Sequence, residues 1–150
     1  MEGMEKADLE LRNASYHLFA DLGRAPSADE VAAALGISVQ AVAEGWRRLH
    51  DAHALVLDGM TGDLVMANPF AARETDFKVV AKDRTWFANC AWDAFGIGAA
   101  LGVDSVIETL CPDCSDRIQI TVIDGHPDDE APVFHVLVPA ARWWDDITHT

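Results

Sequence analysis

Positive charge is scarce in this chain of 150 residues. Lys and Arg number 11 against 25 Asp and Glu, which gives a formal net charge of −14 at pH 7. A surface of this acidity repels the phosphate backbone of nucleic acids and the headgroups of anionic lipids. The charge balance therefore argues against nucleic acid and membrane surfaces as partners, although it names no substrate.

The sequence also lacks a long apolar run and an export signal. No run approaches the roughly 20 apolar residues of a membrane span. The first residues, Met-Glu-Gly-Met-Glu-Lys, do not have the pattern of a signal peptide. Half of the residues are nevertheless hydrophobic, which is enough to bury a sizeable core. We expect a globular, cytoplasmic protein.

Cysteine is limited to three positions. An odd number in a chain without an export signal argues against a disulfide framework. We expect Cys90, Cys111 and Cys114 to be reduced thiols that bind a metal, act in catalysis or pack in the core.

The first 68 residues have the pattern of a winged-helix-like module. A helical stripe from Leu9 to Leu22 predicts a first helix. Ser27 and Glu30 form a capping box for a second helix, and Ser38 can cap a third. Two short apolar runs around a glycine turn then predict a hairpin. Three helices and a hairpin are typical of winged helix-turn-helix modules.

Binding to DNA through this module is one interpretation, with the third helix in the major groove. The charges weaken it, because the module has 5 Lys and Arg against 11 Asp and Glu. Its third helix carries Arg47 and Arg48 at the C-terminal end, whereas a recognition helix usually contacts bases with its N-terminal half. A packing or lid module is the alternative.

Residues 69–150 predict a second unit of the α+β class, with a small mixed or antiparallel sheet and one central helix. Pro69–Glu74 has the composition of a linker. The predicted helix spans Trp86–Leu101, and the predicted strands are Phe77–Ala81, Ser105–Leu110, Arg117–Ile123 and Val133–Val138.

The predicted central helix contains a cysteine and an acid three residues apart. On one helix, Cys90 and Asp93 would be surface neighbours, with Cβ atoms roughly 5 to 6 Å apart. Nearby aromatic residues would desolvate the carboxylate and raise its pKa. One ligand could then contact a thiol and a proton carrier together. A paired or solvated acid beside a buried, inert thiol is the open alternative.

Two further motifs have several interpretations. Cys111-Pro-Asp-Cys114 has the spacing of half a zinc site, although structural zinc needs about four ligands. Bound zinc, a redox pair and a simple tight turn all remain open. The adjacent Trp143 and Trp144 are costly to expose, so they pack on the core or line a pocket.

Together, these features resemble the alkylmercury lyases over nearly the whole chain. Asn89-Cys90-Ala91-Trp92-Asp93 resembles the catalytic Cys-Ala-x-Asp of that family. Asp146-Ile147 resembles the run that leads to the family's second catalytic cysteine. Cys111 falls where the family has a further cysteine that is usually considered structural.

The resemblance implies protonolysis of a carbon–mercury bond, which gives a hydrocarbon and a dithiolate-bound mercuric ion. It implies that Cys90 binds mercury and that Asp93 carries the proton, without a required cofactor. Low-molecular-weight thiols or a mercuric reductase would accept the ion. We expect the organic group to lie in an aromatic pocket formed by Trp86, Phe87, Trp92, Phe95 and Trp143.

The chain ends at Thr150, and the family pattern places its second cysteine in the next position. The sequence therefore predicts binding of organometal or soft metal through Cys90 more firmly than turnover. Two other classes remain as alternatives. One is a thiol-based, metal-responsive transcription regulator, and the other is a non-catalytic metal-binding module that uses Cys111 and Cys114.

Overall fold

A computed structural model describes residues 5–129 and 131–147 of the chain. Four α-helices, eight strands and a 3-10 helix follow one another along the sequence. The α-helices are α1 (Lys6–Leu22), α2 (Ala28–Leu35), α3 (Val39–Asp51) and α4 (Ala91–Leu101). The strands are β1 (Val56–Leu57), β2 (Leu64–Ala67), β3 (Phe70–Ala71), β4 (Lys78–Ala81), β5 (Arg84–Ala88), β6 (Ser105–Leu110), β7 (Arg117–Ile123) and β8 (His126–Pro127), and the 3-10 helix is Ala140–Asp145.

The second and third helices begin where their caps predict. The Ser27 hydroxyl accepts the Glu30 N–H at 3.2 Å, and the Glu30 carboxylate accepts the Ser27 N–H at 2.8 Å. Ser38 accepts the Ala41 N–H at 3.1 Å. Each contact satisfies an N–H group that the first helical turn leaves unpaired. The capping box and the helical start of the module are therefore confirmed.

All eight strands belong to one antiparallel sheet, in the order β1-β2-β3-β5-β4-β6-β7-β8. The α+β class, with a winged-helix-like start, is confirmed. β2 pairs with β3, and β3 pairs with β5. One sheet therefore contains strands from both sides of the predicted boundary between residues 68 and 69. The division into units at that point remains a prediction.

The prediction that Pro69–Glu74 is a linker is wrong, because the segment contains β3. Phe70 is buried and its ring lies 5.2 Å from that of Phe19 and 6.5 Å from that of Trp86. Burial of this aromatic side chain between α1 and β5 favours a strand over a flexible connection.

The predicted helix from Trp86 to Leu101 is also too long. Its first part is β5, which pairs with β4 from Lys78 opposite Phe87 to Ala81 opposite Arg84. A two-residue turn joins these strands, and Lys82 takes a positive φ of 56° there. Thr85, Trp86 and Phe87 favour strands, and a short apolar run does not distinguish the two structures by its periodicity.

The apolar run Val133–Val138, predicted to be a strand, forms no strand in the described part of the chain. The edge of β7 that it could have joined is occupied by β8, through Val122 opposite Pro127. Residues 133–147, which we term the C-terminal strap, instead cross the surface and include the 3-10 helix.

No helix among the residues that the structure describes is both long and apolar enough to cross a membrane.

Candidate active site

A cavity of about 230 Å³ lies between the C-terminal strap and the junction of β5 with α4. Most of its polar groups come from the β5–α4 junction and from the chain just after β2, whereas the strap supplies His135 and most of the apolar wall. The lining residues are Met66, Asn68, Asn89, Cys90, Asp93, Phe134, His135, Val136, Leu137, Val138, Trp143 and Ile147.

Cys90 occupies the position before the first turn of α4, with an extended backbone at φ −154° and ψ 179°. Cys90 is therefore the N-cap of α4, whereas the sequence analysis predicted it within the helix. Asp93 lies in the first helical turn, and both side chains line the cavity. The bend at Asn89 and Cys90, between β5 and α4, brings the two groups together.

The Cys90 thiol is half-buried. Burial is the largest influence and raises its pKa, and the Asp93 carboxylate acts in the same direction. The backbone N–H groups of Asp93 and Trp92 oppose this shift, as expected for a thiol at a helix N-terminus. The resting thiol is thus mostly protonated near neutral pH.

Asp93 is half-buried, and desolvation raises its pKa. Asn89 donates from Nδ2 to the Asp93 carboxylate at 3.1 Å, which partly opposes that shift. The same amide nitrogen lies 3.0 Å from Oδ1 of Asn68, so it is fixed from two sides. Asp93 is consequently held in one orientation and can keep a proton at a higher pH than an ordinary aspartate.

The aromatic wall differs from the predicted one. Among residues 5–129 and 131–147, Trp143 is the one predicted pocket residue that lines the cavity. Trp86 is buried in the core, where its indole N–H donates to the Ala20 carbonyl at 3.0 Å. Trp92 and Phe95 are 67% and 39% exposed on α4.

Phe87 does not line the cavity either, because it belongs to β5 and not to the predicted helix. It follows Trp86 directly in the strand, so the two side chains point to opposite faces of the sheet. The sequence analysis missed the strap residues that replace them. Their signal was present as the apolar run Val133–Val138.

The two tryptophans of the strap make different contacts, one within the strap and one with the N-terminal module. Trp143 donates its indole N–H to the Val138 carbonyl at 2.7 Å. Trp144 stacks on His53, with ring centroids 4.1 Å apart and an interplanar angle of 7°. His53 follows α3, so through this contact the N-terminal module helps to hold the strap in place.

The last described residue of the strap, Ile147, lines the cavity. The sequence analysis predicts that Asp146-Ile147 and the residues after it lead to the position of a second cysteine. Residues 148–150 lie outside the described residues.

Cys111 and Cys114 lie in the turn between β6 and β7, apart from this cavity. Within the described ranges, no group of three or more His, Cys, Asp or Glu side chains is arranged to hold a metal ion. Bound zinc at this turn remains a prediction.

The third helix has little positive charge to offer a phosphate backbone. Its Arg48 forms an ion pair with Asp8 of α1, with Nη2 and Oδ1 2.7 Å apart. The hydrogen bond from Arg48 lowers the pKa of Asp8 and keeps it ionised. One of the two arginines on α3 thus serves the packing of α1 against α3, which weakens the DNA-binding interpretation.

The chain has a structural relative among solved proteins. The structure titled "Crystal structure of the mercury-bound form of MerB2" superposes with a TM-score of 0.65 at 21% identity. The match covers 85% of this chain and 61% of that one, so this chain spans less than two thirds of its relative. At this identity the likeness shows a common fold.

Two family models match different parts of the chain. Residues 9–58 match Sigma-70 region 3, and no functionally curated protein matches the chain. Residues 70–150, more than half of the chain, match the MerB family, described as alkylmercury lyase. This match includes Cys90, Asp93 and the strap that closes the cavity over them, and by it the chain belongs to the alkylmercury lyase family.

Proposed function

We propose that this protein cleaves the carbon–mercury bond of organomercurial compounds by protonolysis. The observation that carries the proposal is the cavity, in which the Cys90 thiol and the raised-pKa carboxyl of Asp93 share an otherwise largely apolar space. Membership of the family supports the class of reaction.

Cys90 is the proposed mercury ligand. Mercury is a soft metal and prefers sulfur, so the substrate exchanges its original ligand for the Cys90 sulfur and the thiol proton is released. The N–H groups at the start of α4 stabilise the thiolate that forms. Electron density donated by this sulfur weakens the carbon–mercury bond.

Asp93 is the proposed proton carrier. A second thiol, from the protein or from solution, binds mercury and gives its proton to the Asp93 carboxylate. Asp93 then donates that proton to the carbon, which departs with the electron pair of the carbon–mercury bond. The products are a hydrocarbon and a mercuric ion that stays bound to two sulfurs, so atoms and charges balance.

The strap supports this chemistry by shaping the site. Phe134, Val136 and Leu137 give the cavity an apolar wall that suits an alkyl or aryl group. Because the reaction consumes thiol, we propose a cytoplasmic setting. Low-molecular-weight thiols or a mercuric reductase would then accept the mercuric ion.

A turnover assay tests the function directly. Phenylmercuric acetate is incubated with the protein and excess glutathione, and benzene is measured by gas chromatography. We expect more than one benzene per protein chain, well above the rate with glutathione alone. Stoichiometric binding of phenylmercury without benzene release would contradict the proposed lyase activity.

Asn89 gives a second prediction, about the acid itself. In Asn89→Leu the donor that stabilises ionised Asp93 is lost, so the pKa of Asp93 should rise further above its usual range. Titration of the labelled Asp93 carboxyl by carbon NMR measures this shift. Asn68→Ala is the matched control, because it removes the other partner of Asn89 but leaves the donor. An equal pKa in Asn89→Leu and the unmodified protein would show that Asn89 does not tune the acid.

A further inference from the structure

The turn between β6 and β7 holds the two remaining thiols in a fixed arrangement. The Cys111 N–H donates to the Asp116 carbonyl, and the Ser115 N–H donates to the Cys111 carbonyl, both at 2.8 Å. Ser115 closes the turn with a positive φ of 61°. These contacts, together with the pairing of β6 and β7 on either side, fix the backbone of the turn that carries Cys111 and Cys114.

The turn also favours the ionised form of one thiol. The N–H group of Cys114, and after it that of Asp113, lower the pKa of Cys111, and a hydrogen bond with the Cys114 thiol acts in the same direction. The Asp116 backbone lowers the pKa of Cys114, but the side chains of Cys111 and Asp116 raise it overall. The two thiols are therefore in contact with each other. Cys111 is half-buried and Cys114 is exposed, so ions in solution can reach the pair. The acidic residues Asp113 and Asp116 in the same turn favour a cation over an anion.

The number of ligands selects the kind of cation. Structural zinc takes four ligands in a tetrahedron. The part of the chain that the structure describes supplies no cluster of three or more metal-binding side chains. A soft cation that is stable in a linear, two-coordinate geometry needs only two thiolates, and such cations prefer sulfur ligands.

We propose that Cys111 and Cys114 form a second metal site, which binds one soft, two-coordinate cation of the Hg²⁺ class independently of Cys90. Binding forms two metal–sulfur bonds and releases the two thiol protons, so it needs neither an oxidant nor a reductant. The site lies outside the cavity and does not depend on the proposed carbon–mercury cleavage.

The test uses the full chain with Cys90→Ser, which removes the thiol of the cavity. Reduced protein is mixed with HgCl₂ and excess glutathione, desalted, and its metal content measured by mass spectrometry. We expect one Hg²⁺ per chain, with two sulfur neighbours by X-ray absorption. Adding Cys114→Ser should weaken retention on the order of 100-fold or more, because a chelating pair becomes a single ligand.

A control variant changes the turn but keeps both thiols. Cys90→Ser with Ser115→Gly keeps both thiols and relieves the left-handed backbone, so it should retain Hg²⁺ as Cys90→Ser does. Circular dichroism checks the fold of each variant, and Cys114→Ala replaces Cys114→Ser if the latter does not fold. Retention unaffected by loss of Cys114, no retention in Cys90→Ser, or one Hg²⁺ shared by two chains would each overturn the proposal.

Discussion

Replacing Asp93 with alanine should leave phenylmercury bound but uncleaved. The change removes the proton carrier and leaves the Cys90 sulfur in place, so binding and chemistry separate. We expect the rate of benzene release to fall on the order of 100-fold or more, as is typical when a general acid is lost. Single-turnover kinetics with preloaded phenylmercury measure this step apart from binding.

Asp93→Asn is the matched variant. An asparagine keeps the size of the side chain and can still accept the hydrogen bond from Asn89, but it cannot carry a proton. It should therefore be as slow as Asp93→Ala. Benzene release at an undiminished rate in either variant would show that the carboxyl serves the structure of the β5–α4 junction alone.

Replacing Cys90 with serine should abolish tight one-to-one binding of phenylmercury. A hydroxyl is a poor ligand for a soft metal, and the change in size is small, so the fold should be kept. Calorimetric titration in the presence of a competing thiol measures the affinity. The competitor matters because Cys111 and Cys114 are accessible and would otherwise also take up the reagent.

Cys111→Ser provides the control for this measurement. That variant changes a thiol outside the cavity, so its affinity for phenylmercury under the same competition should equal that of the unmodified protein. Equal affinities in Cys90→Ser and the unmodified protein would exclude Cys90 as the mercury ligand.

Local chemistry made the start of the fold predictable. The caps at Ser27 and Ser38 depend on residues within three positions of one another, so a single sequence contains the whole signal. The strands β6 and β7 were predictable for a similar reason, because each is an apolar, β-branched run bounded by turn residues.

Competition between distant segments made the rest unpredictable. The aromatic run around Trp86 suits a strand or a buried helix, and its pairing with β4 decides between them. The run Val133–Val138 favours a strand, but β8 already occupies the edge of β7. Whether a segment becomes a strand depends on which other segment pairs with the available sheet edge. The sequence of the segment itself does not contain that information.

The candidate site was also predictable only where its residues are close in sequence. Cys90 and Asp93 were found because they are close in sequence and chemically unusual together. The partner Asn68 and the covering residue Leu137 come from distant parts of the chain, and the fold alone brings them to the cavity. Misplacing the start of α4 also put Trp86 and Phe87 in the wrong surroundings.

The stacking of Trp144 on His53 has a consequence for how this protein can be recombined with its relatives. His53, two residues after the end of α3, has a left-handed backbone with φ of 59°, and its ring lies flat against that of Trp144. An N-terminal module taken from another family member would have to present a flat ring at the same place. The N-terminal module and the strap therefore depend on each other through this contact, and chimaeras should be designed by exchanging His53 and Trp144 together.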